Sequence, residues 1–330
     1  MKKRLFAGTL VVSLILCCGH AALQAAEQGY PKKMVQIIVP VAAGGNLDLV
    51  ARAMAPALTK GFGQPFIVDN RPGASSLVGI QFVARAAPDG YTLLFTANTF
   101  VLAPFVMRNA GYDPVKDFVG ISQACSLPQI LVVRPTLPVK SVKELLAYIR
   151  ANPGKLNVGH SGHGGTGHMA WEMFNQMAGG DLKVVQIPYK GNAPALIDVI
   201  GGQLDMVFDT FSTSIQHVKA GKIRALGLGS SKRSPIFPDL PTVAEAGGLP
   251  GFDPSIFNGF LAPAGMPKDI LVALQHEIAK AVQQPEIRNR FLAQGVELMA
   301  SDSPEQFTEF IRNQVERHAK LVRDAGIKPE

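Results

Sequence analysis

The stretch MVQIIVPVAAGGNLDLVARAMAPAL, residues 34–58, decides the fold class of this chain. It begins with a short apolar run, MVQIIVP, that is typical of a buried strand. Two glycines follow, and apolar residues then recur at helical spacing, at Leu47, Val50, Ala51, Met54 and Leu58. A strand, a glycine turn and an amphipathic helix in this order form half of a βαβ unit, so the stretch predicts an α/β fold.

The same alternation of strand and helix extends over the rest of the chain. Short apolar runs predict further strands at residues 65–70, 91–98, 129–133, 156–160, 184–189, 204–209, 223–230 and 257–263. Helical patterns are found at residues 75–87, 193–202 and 268–282 and from Ser303 onward. A further helix is predicted to begin after Ser141, because Glu144 follows it in capping-box spacing. A mature chain of about 300 residues is longer than the size at which a single hydrophobic core stops growing. Two lobes are therefore expected, each a mainly parallel sheet flanked by helices.

Residues 1–26 are predicted to be a cleaved signal peptide, which implies export to the periplasm. Lys2, Lys3 and Arg4 precede an apolar segment, and small residues suited to signal peptidase follow it. The formal charge falls from +7 to +4 when those three cations are removed. The remaining Lys and Arg are scattered, so no nucleic-acid partner is expected. Cys125 is the only cysteine of the mature chain, so no internal disulfide is expected either.

Polar and glycine-rich segments follow several of the predicted strands. They are AAGGN (42–46), NRPGASS (70–76), ANT (97–99), GHSGHGGTGH (159–168) and DTFS (209–212). In open α/β sheets, ligands bind beyond the carboxyl ends of the strands, at a switch point or between lobes. These segments are therefore the candidates for a ligand site.

The segment GHSGHGGTGH admits four interpretations, of which two involve an enzyme. Its glycines match the dinucleotide pattern G-x-G-x-x-G, but Lys190 stands where an acid for the ribose hydroxyls is expected, which argues against NAD. Ser161 begins a hydrolase elbow, although His163 breaks the G-x-S-x-G motif.

The other two interpretations are binding sites. The imidazoles of His160, His163 and His168 offer ligands for zinc, as in an exported metal receptor. Alternatively, the glycines and Thr166 lead into the start of a helix, where backbone N–H groups and the helix dipole favour an anion. A carboxylate is the expected guest of such a site.

Several longer segments, taken together, resemble one known family. They are, in chain order, IIVPVAAGGNLDLVARAMAPAL (37–58), FIVDNRPGASSLVG (66–79), VARAAPDGYTLLF (83–95), LPVKSVKELLAYIRANPGKLN (137–157), IPYKGNAPALIDVIGGQLDMVFD (187–209) and KAGKIRALGLGSSKRSPIFPDLPTVAEAG (219–247). Their order and spacing resemble the substrate receptors of tripartite tricarboxylate transporters, the TctC-like or Bug receptors. The resemblance spans essentially the whole mature chain.

The resemblance implies a two-lobed periplasmic binding protein of the type II-like, Venus flytrap kind. Residues 27–125 and 251–330 would form one lobe, and residues 126–250 the other. Such a receptor is a monomer without cofactor or catalysis. It closes over a small carboxylate, which in the family is a di- or tricarboxylate, an acidic amino acid or an aromatic carboxylate. It then delivers this ligand to a membrane permease or presents it to a sensor kinase.

The family's binding residues are carried over to the matching positions of this sequence. In the second lobe they are Ser161, Gly164, Gly165, Thr166 and His168, and in the first-lobe loop Val41, Ala42, Gly44 and Asn46. Ser75, Asn98, Thr99 and Asp209 are the remaining candidates, although Asp209 is alternatively a cap for the helix that follows it. In the first-lobe loop, residues 41–43 depart from the aromatic and proline residues usual in the family, which leaves the identity of the carboxylate open.

Overall fold

The structure, a computed structural model, describes residues 29–162, 164–189 and 191–329. The predicted signal peptide and His163 lie outside the described residues. Within them the strands are β1 (Val35–Val39), β2 (Phe66–Asn70), β3 (Thr92–Ala97), β4 (Phe118–Leu127), β5 (Gln129–Val133), β6 (Asn157–His160), β7 (Val185–Pro188), β8 (Met206–Thr210), β9 (Arg224–Gly229), β10 (Ile256–Pro263) and β11 (Glu297–Leu298). None of the described helices is long and apolar enough to span a bilayer.

Helices alternate with these strands. They are α1 (Asn46–Phe62), α2 (Leu77–Ala84), α3 (Thr99–Val106), α4 (Val142–Ala151), α5 (Thr166–Met177), α6 (Asn192–Ile200), α7 (Phe211–Lys219), α8 (Val243–Gly247), α9 (Lys268–Gln283), α10 (Pro285–Leu292) and α11 (Pro304–Asp324). A 3₁₀ turn, Ala74–Ser76, precedes α2. The apolar positions predicted for α1 are buried apart from Leu47, which is partly buried.

The predicted two-lobed α/β architecture is confirmed, but its sheets are mixed rather than mainly parallel. The first sheet has the strand order β11-β4-β10-β3-β1-β2 and the second β7-β6-β8-β5-β9. In the first sheet β10 runs antiparallel to both β3 and β4, and in the second β5 runs antiparallel to both β8 and β9. The reason is that the chain enters or leaves a lobe through β4, β5 and β10, so these strands run antiparallel to the strands next to them.

Two segments cross between the sheets. Pro128 alone separates β4 from β5, and residues 230–255 connect β9 to β10. The predicted lobe boundaries at 125/126 and 250/251 stay a prediction. Because rotation of one lobe against the other changes the backbone where the chain crosses between them, these two segments are the expected hinge.

The C-terminal helix α11 packs against both lobes. Phe307 and Ile311, near its start, lie in the apolar core on one face of the first sheet. Leu321 and Val322, near its end, lie in the core on one face of the second sheet, together with Trp171 of α5. The helix therefore connects the two cores on one side of the molecule.

Several elements were not predicted from the sequence. They are α3, α8, α10, β4 and β11, and α2 is shorter than predicted. In α3, Phe100 and Val101 pack in the first-lobe core while Leu102 packs in the second-lobe core. A helix that is apolar on almost every face has no amphipathic periodicity, so its sequence does not predict a helix. The predicted capping box at α4 is half formed, because Glu144 accepts its reciprocal bond from Lys140 N–H rather than from Ser141.

Gly259 of β10 tests the contact between α11 and the first sheet. A Cβ atom at this position would overlap the ring of Phe307 and approach the carbonyl oxygen of Ser122 to 3.1 Å. We expect Gly259→Ala to lower the free energy of unfolding by about 1–3 kcal/mol, because the added methyl group overpacks a closed contact. Denaturant titration measures this change.

Gly201→Ala is the matched control, since Gly201 has φ −76° and only ordinary contacts around a new Cβ. Its effect should stay within about 0.5 kcal/mol. Equal losses in the two variants would mean that the packing of α11 on β10 is not tight.

Candidate functional site

The candidate segments lie at edges of the two sheets that face the crossing segments. β10 begins next to the end of β3, where Asn258 pairs with Ala97, and β5 begins next to the end of β8, where Gln129 pairs with Thr210. β1 and β2 end at the same edge as β3, because these three strands are parallel. β6 and β7 likewise end at the same edge as β8. Helices α1, α2, α3, α5, α6 and α7 therefore all begin toward the region between the lobes.

The first turns of these helices carry few acidic residues. Those of α2, α3, α5 and α6 contain none, whereas α1 contains Asp48 and Asp209 stands just before α7. The helices that begin elsewhere each have an acid in the first turn, namely Glu144, Glu245, Asp269, Glu286 and Glu305. An acid there compensates the positive end of the helix dipole. Four helix N-termini between the lobes thus keep an uncompensated positive potential, which suits an anionic ligand.

Two histidines hold the glycine loop that precedes α5. The Nδ1 atom of His160 lies 3.0 Å from the carbonyl oxygen of Gly162, and Gly164 N–H donates to Nδ1 of His168 at 3.0 Å. Gly165 N–H donates to the Gly162 carbonyl at 3.0 Å. The backbone donors of Gly164 and Gly165 are therefore used within the protein. The loop is preshaped by these bonds rather than by a ligand.

The bond from Gly164 fixes the tautomer of His168. Since Nδ1 accepts a hydrogen bond, the neutral imidazole carries its proton on Nε2, which lies 3.6 Å from Oε1 of Glu172. Gln186 donates to the same carboxylate oxygen at 2.7 Å. The His160 and His168 rings stack with centroids 4.6 Å apart, and both residues are buried.

This arrangement gives the two imidazoles a structural role, the support of the loop. Among the described residues no group of three metal-binding side chains is found, and His163, on which the zinc alternative depends, is not one of them. The hydrolase alternative needs a base beside Ser161 Oγ. In the described part of the chain the hydrogen bonds of Nδ1 in both His160 and His168 go to the backbone of the loop.

Thr166 begins α5 and faces the junction of the lobes. It lines a cavity of about 30 Å³ together with Asn98 of the first lobe and Gln129 of β5. Gln129 donates to the carbonyl oxygens of Pro254 and Thr166, at 2.8 and 3.3 Å. The structure thus brings together two of the predicted residues, Asn98 and Thr166, from different lobes.

Asp48 shapes the first-lobe loop that contains Val41, Ala42, Gly44 and Asn46. Its carboxylate is 1% exposed and accepts hydrogen bonds from Gly44 N–H at 2.9 Å, Asn70 Nδ2 at 2.9 Å and Arg52 Nε at 3.0 Å. Asn70 also donates to the carbonyl oxygen of Val41 at 3.1 Å. Gly44 has φ +91°, which favours glycine. The loop between β1 and α1 is therefore tied to the end of β2.

The pKa of Asp48 reflects this network. Burial raises the pKa of the carboxyl, but the hydrogen bonds from Gly44, Arg52 and Asn70 and the charge of Arg52 outweigh burial and hold the pKa below its ordinary value. Asp48 thus stays ionised at neutral pH. Its position in the first turn of α1 also suits the helix dipole, and its hold on the loop is a structural finding.

Ser75 lies in an unusual turn after β2. Ala74, Ser75 and Ser76 have φ values of +45°, +53° and +80°, and Gly73 precedes them with φ +130°. Three consecutive non-glycine residues in the left-handed region are rare and carry strain, and such strain concentrates at functional sites. Ser75 is exposed in this turn.

Asn98, Thr99 and Asp209 have different surroundings. Asn98 accepts from Phe257 N–H at 2.8 Å and donates to the Ser255 carbonyl at 3.2 Å, so its amide connects the end of β3 to the start of β10. Asp209 is buried and accepts from the hydroxyls of two residues in α7, Thr213 and Ser214, at 2.5 and 2.6 Å. These donors are hydroxyls rather than backbone N–H groups, and Thr210 is the N-cap of α7, so Asp209 does not form the helix cap considered as its alternative role. Thr99 is exposed in the first turn of α3.

Comparisons with known proteins agree with the resemblance seen in the sequence. A family model described as "Tripartite tricarboxylate transporter family receptor" matches residues 50–327. BugT of Bordetella pertussis is 33% identical over 320 residues, which cover 96% of this chain and 97% of BugT.

Two similar solved structures contain carboxylates. Rpa4515 of R. palustris, solved with adipate, is 33% identical with a TM-score of 0.75, over 91% of this chain and 100% of that one. MatC (Rpa3494) of Rhodopseudomonas palustris, solved with bound malate, is 30% identical with a TM-score of 0.71, over 89% and 100%. These likenesses confirm the two-lobed periplasmic-binding-protein fold.

Asp48→Asn tests the anchoring of the first-lobe loop. We expect it to lower the free energy of unfolding at pH 7 by about 1–3 kcal/mol, because it weakens hydrogen bonds to a buried charged group. A carboxyl with a depressed native pKa stabilises the fold above its unfolded pKa of about 3.9, and this contribution is lost as the pH falls through the native value. The gap between wild type and variant should therefore narrow at acid pH in denaturant titrations.

The control is Asp69→Asn, which removes the partner of Arg71 in a pair whose side chains are about one third exposed. Its effect should remain below about 1 kcal/mol at every pH. If Asp48→Asn and Asp69→Asn behaved alike, the Asp48 network would not hold the loop.

Proposed function

The chain belongs to the tripartite tricarboxylate transporter receptor family, and we propose that it captures a small organic carboxylate between its lobes and delivers it to a transporter of that type. The family consists of solute-binding receptors rather than enzymes. The proposed ligands are di- and tricarboxylates, acidic amino acids and aromatic carboxylates. Adipate and malate, the ligands of two similar solved structures, are both small dicarboxylates.

The observation that carries the proposal is the set of uncompensated helix N-termini between the lobes. Four helices begin there without an acid in or directly before the first turn. Their first backbone N–H groups have no acceptor within the helix, and their dipoles favour a negative guest. A carboxylate bound in this way needs no Lys or Arg side chain.

We assign the seat of the carboxylate to the start of α5, with the Thr166 hydroxyl and Ser161 as side-chain donors. In this proposal Gly164, Gly165 and His168 act by holding the loop in shape, because Gly164 N–H donates to His168 and Gly165 N–H donates to Gly162. Asn98 and Asp209 act in the same indirect way, through the contacts that they make with β10 and α7.

The first lobe supplies the opposite wall of the proposed cleft. Gly44 and its neighbours Val41, Ala42 and Asn46 form the loop tied down by Asp48, and Ser75 and Thr99 stand at the ends of β2 and β3. A ligand that contacts both walls binds the closed arrangement better than the open one, and this difference in affinity is what drives closure.

Delivery to a membrane transporter follows from the family, and the predicted signal peptide supports a periplasmic location. The partner is then a permease of the tripartite tricarboxylate type, with a sensor kinase as the second candidate. Loss of carboxylate uptake in cells that lack the receptor, with restoration by the wild-type chain, tests the permease role directly.

A thermal-shift panel tests the ligand class. Adipate, malate, citrate, glutamate, nicotinate and zinc are compared at equal concentration, and a carboxylate present at about 100 times its Kd should add about 2.7 kcal/mol of stability. Stabilisation by zinc alone would overturn the proposal in favour of the metal receptor. Conversion of an ester panel that disappears in Ser161→Ala would overturn it in favour of a hydrolase.

Thr166→Val tests whether the carboxylate binds at the start of α5. Loss of a hydroxyl that donates to a carboxylate is expected to weaken the best acid of the panel by about tenfold or more, measured by calorimetric titration. Thr92→Val is the matched control, because Thr92 begins β3 and so lies at the opposite edge of the first sheet. Equal affinity in Thr166→Val and wild type would remove Thr166 from the site.

A further inference from the structure

A second and larger cavity lies on the other side of the crossing segments. It has a volume of about 770 Å³, within the range of small-molecule sites. Its walls are formed by β4, β11 and α10 of the first lobe, by the segment 230–238 of the second lobe, and by α11. In the first sheet the cavity lies on the side of the edge strand β11, and in the second sheet on the side of the edge strand β9. The candidate cleft residues instead follow β1, β3, β6 and β8. The cavity is therefore separate from the proposed carboxylate seat.

Three cations from three different elements border this cavity. They are Lys232 after β9, Arg288 on α10 and Arg317 on α11. Among the described residues, none of the three has a carboxylate oxygen within 4.0 Å. A fourth cation, Arg233, is already paired with Glu245 at 2.8 Å. The three unpaired charges give the cavity, which we call the hinge-side cavity, a net positive rim.

Arg317 has N–H groups left for a ligand. Its Nη2 atom donates to the carbonyl oxygen of Asp253 at 2.8 Å and lies 2.9 Å from the sulfur of Met173. A guanidinium has five N–H donors, and these two contacts use only one nitrogen. The residue is partly buried, so an anion beside it would be shielded from solvent.

Two acids that line the cavity, Asp253 and Glu297, offset part of this charge. Asp253 accepts hydrogen bonds from the backbone N–H and the hydroxyl of Ser255, at 3.1 and 2.5 Å. Burial raises the pKa of Glu297, and the charge of Lys232 lowers it only in part. The carboxyl of Glu297 is therefore more readily protonated than an exposed glutamate.

One wall of the cavity is apolar, beside the serines and glutamines that also line it. Phe257 and Phe310 form an edge-to-face pair with centroids 5.3 Å apart, and Leu292, Leu298 and Met299 extend this wall. Met299 is 42% exposed, which is high for a large apolar side chain. A cavity with an apolar wall and a cationic rim matches a ligand that has an apolar body and one acidic group.

We propose that the hinge-side cavity is a second binding site, for an amphipathic organic anion such as an aryl or alkyl carboxylate or sulfonate. The acidic group lies among Lys232, Arg288 and Arg317, and the apolar body lies against Phe310 and Met299. No inorganic anion fits this description, because it would leave the apolar wall unoccupied.

The cavity's position gives its ligand an effect on the hinge, an effect that rests on the function proposed above. Its walls come from both lobes, so rotation about the crossing segments that closes the cleft moves these walls apart. An anion that fits the cavity as it stands favours the arrangement of the lobes seen here. By linkage, a cleft ligand that favours the same arrangement must raise the affinity for that anion.

Fluorescence titration with 8-anilinonaphthalene-1-sulfonate tests the site, because this probe has an aromatic body and one sulfonate. We expect saturable one-to-one binding to the folded protein, weakened by about fivefold or more in the double variant Lys232→Gln/Arg288→Gln, which removes two attractive charges. Met299→Glu, which adds a carboxylate to the apolar wall, should weaken binding at least as much. Both variants alter exposed side chains, and their thermal unfolding is measured alongside.

The matched control is Lys143→Gln/Arg323→Gln, which removes two exposed cations outside the cavity and should leave the affinity within about twofold of wild type. Equal weakening in control and test variants, or unchanged binding in both test variants, overturns the proposal. The acid with the largest thermal shift should raise the probe's affinity, and displacement of the probe by that acid would place the probe in the cleft and also overturn it. If no acid of the panel binds, the proposed carboxylate function is wrong. The comparison of probe affinity between the test variants and the control variant still shows whether the hinge-side cavity binds the probe.

Discussion

The direction in which the strands run at the crossing is the constraint on which the rest of this structure depends. β4 and β10 pass between the lobes next to the end of β3, and β5 begins next to the end of β8. The carboxyl edges of both sets of parallel strands must therefore face each other. Each parallel strand is followed by a helix, so six helix N-termini point toward the same space. The potential between the lobes is thus set by backbone dipoles before any side chain is considered.

The distribution of acids agrees with this view. Helices that begin away from the crossing have an acid in the first turn, and four of the six that begin toward it have none in or directly before the first turn. The side chains that are present there serve mainly to hold backbone. His160 and His168 hold the glycine loop, and Asp48 holds the loop of the opposite lobe. A rigid set of backbone donors binds carboxylates at little cost in conformational entropy.

The hinge-side cavity uses the opposite chemistry. Its charge comes from long, flexible side chains at a rim, and one of its walls is apolar. The two sides of the hinge are nevertheless connected, because Arg317 borders both this cavity and the small one that contains Thr166 and Asn98. Helix α11, which carries Arg317, packs into the cores of both lobes. Any change in the angle between the lobes must therefore be accommodated along this helix.

The sequence by itself determined the parts that depend on local pattern. Alternating apolar runs and helical spacings predicted most strands and long helices, and the order of the quoted segments indicated the family and the glycine loop. Tertiary structure alone decided what the candidate groups bond to: the amides of Gly164 and Gly165, the side chains of Asn98 and Asp209, and the carboxylate of Asp48 all find their partners within the protein. It also decided that the sheets are mixed, that three left-handed residues follow β2, and that an apolar helix, α3, joins the two cores. The physical reason is that periodicity reports which face of an element is buried, whereas the partner of a donor or of an apolar face depends on which distant segment packs against it.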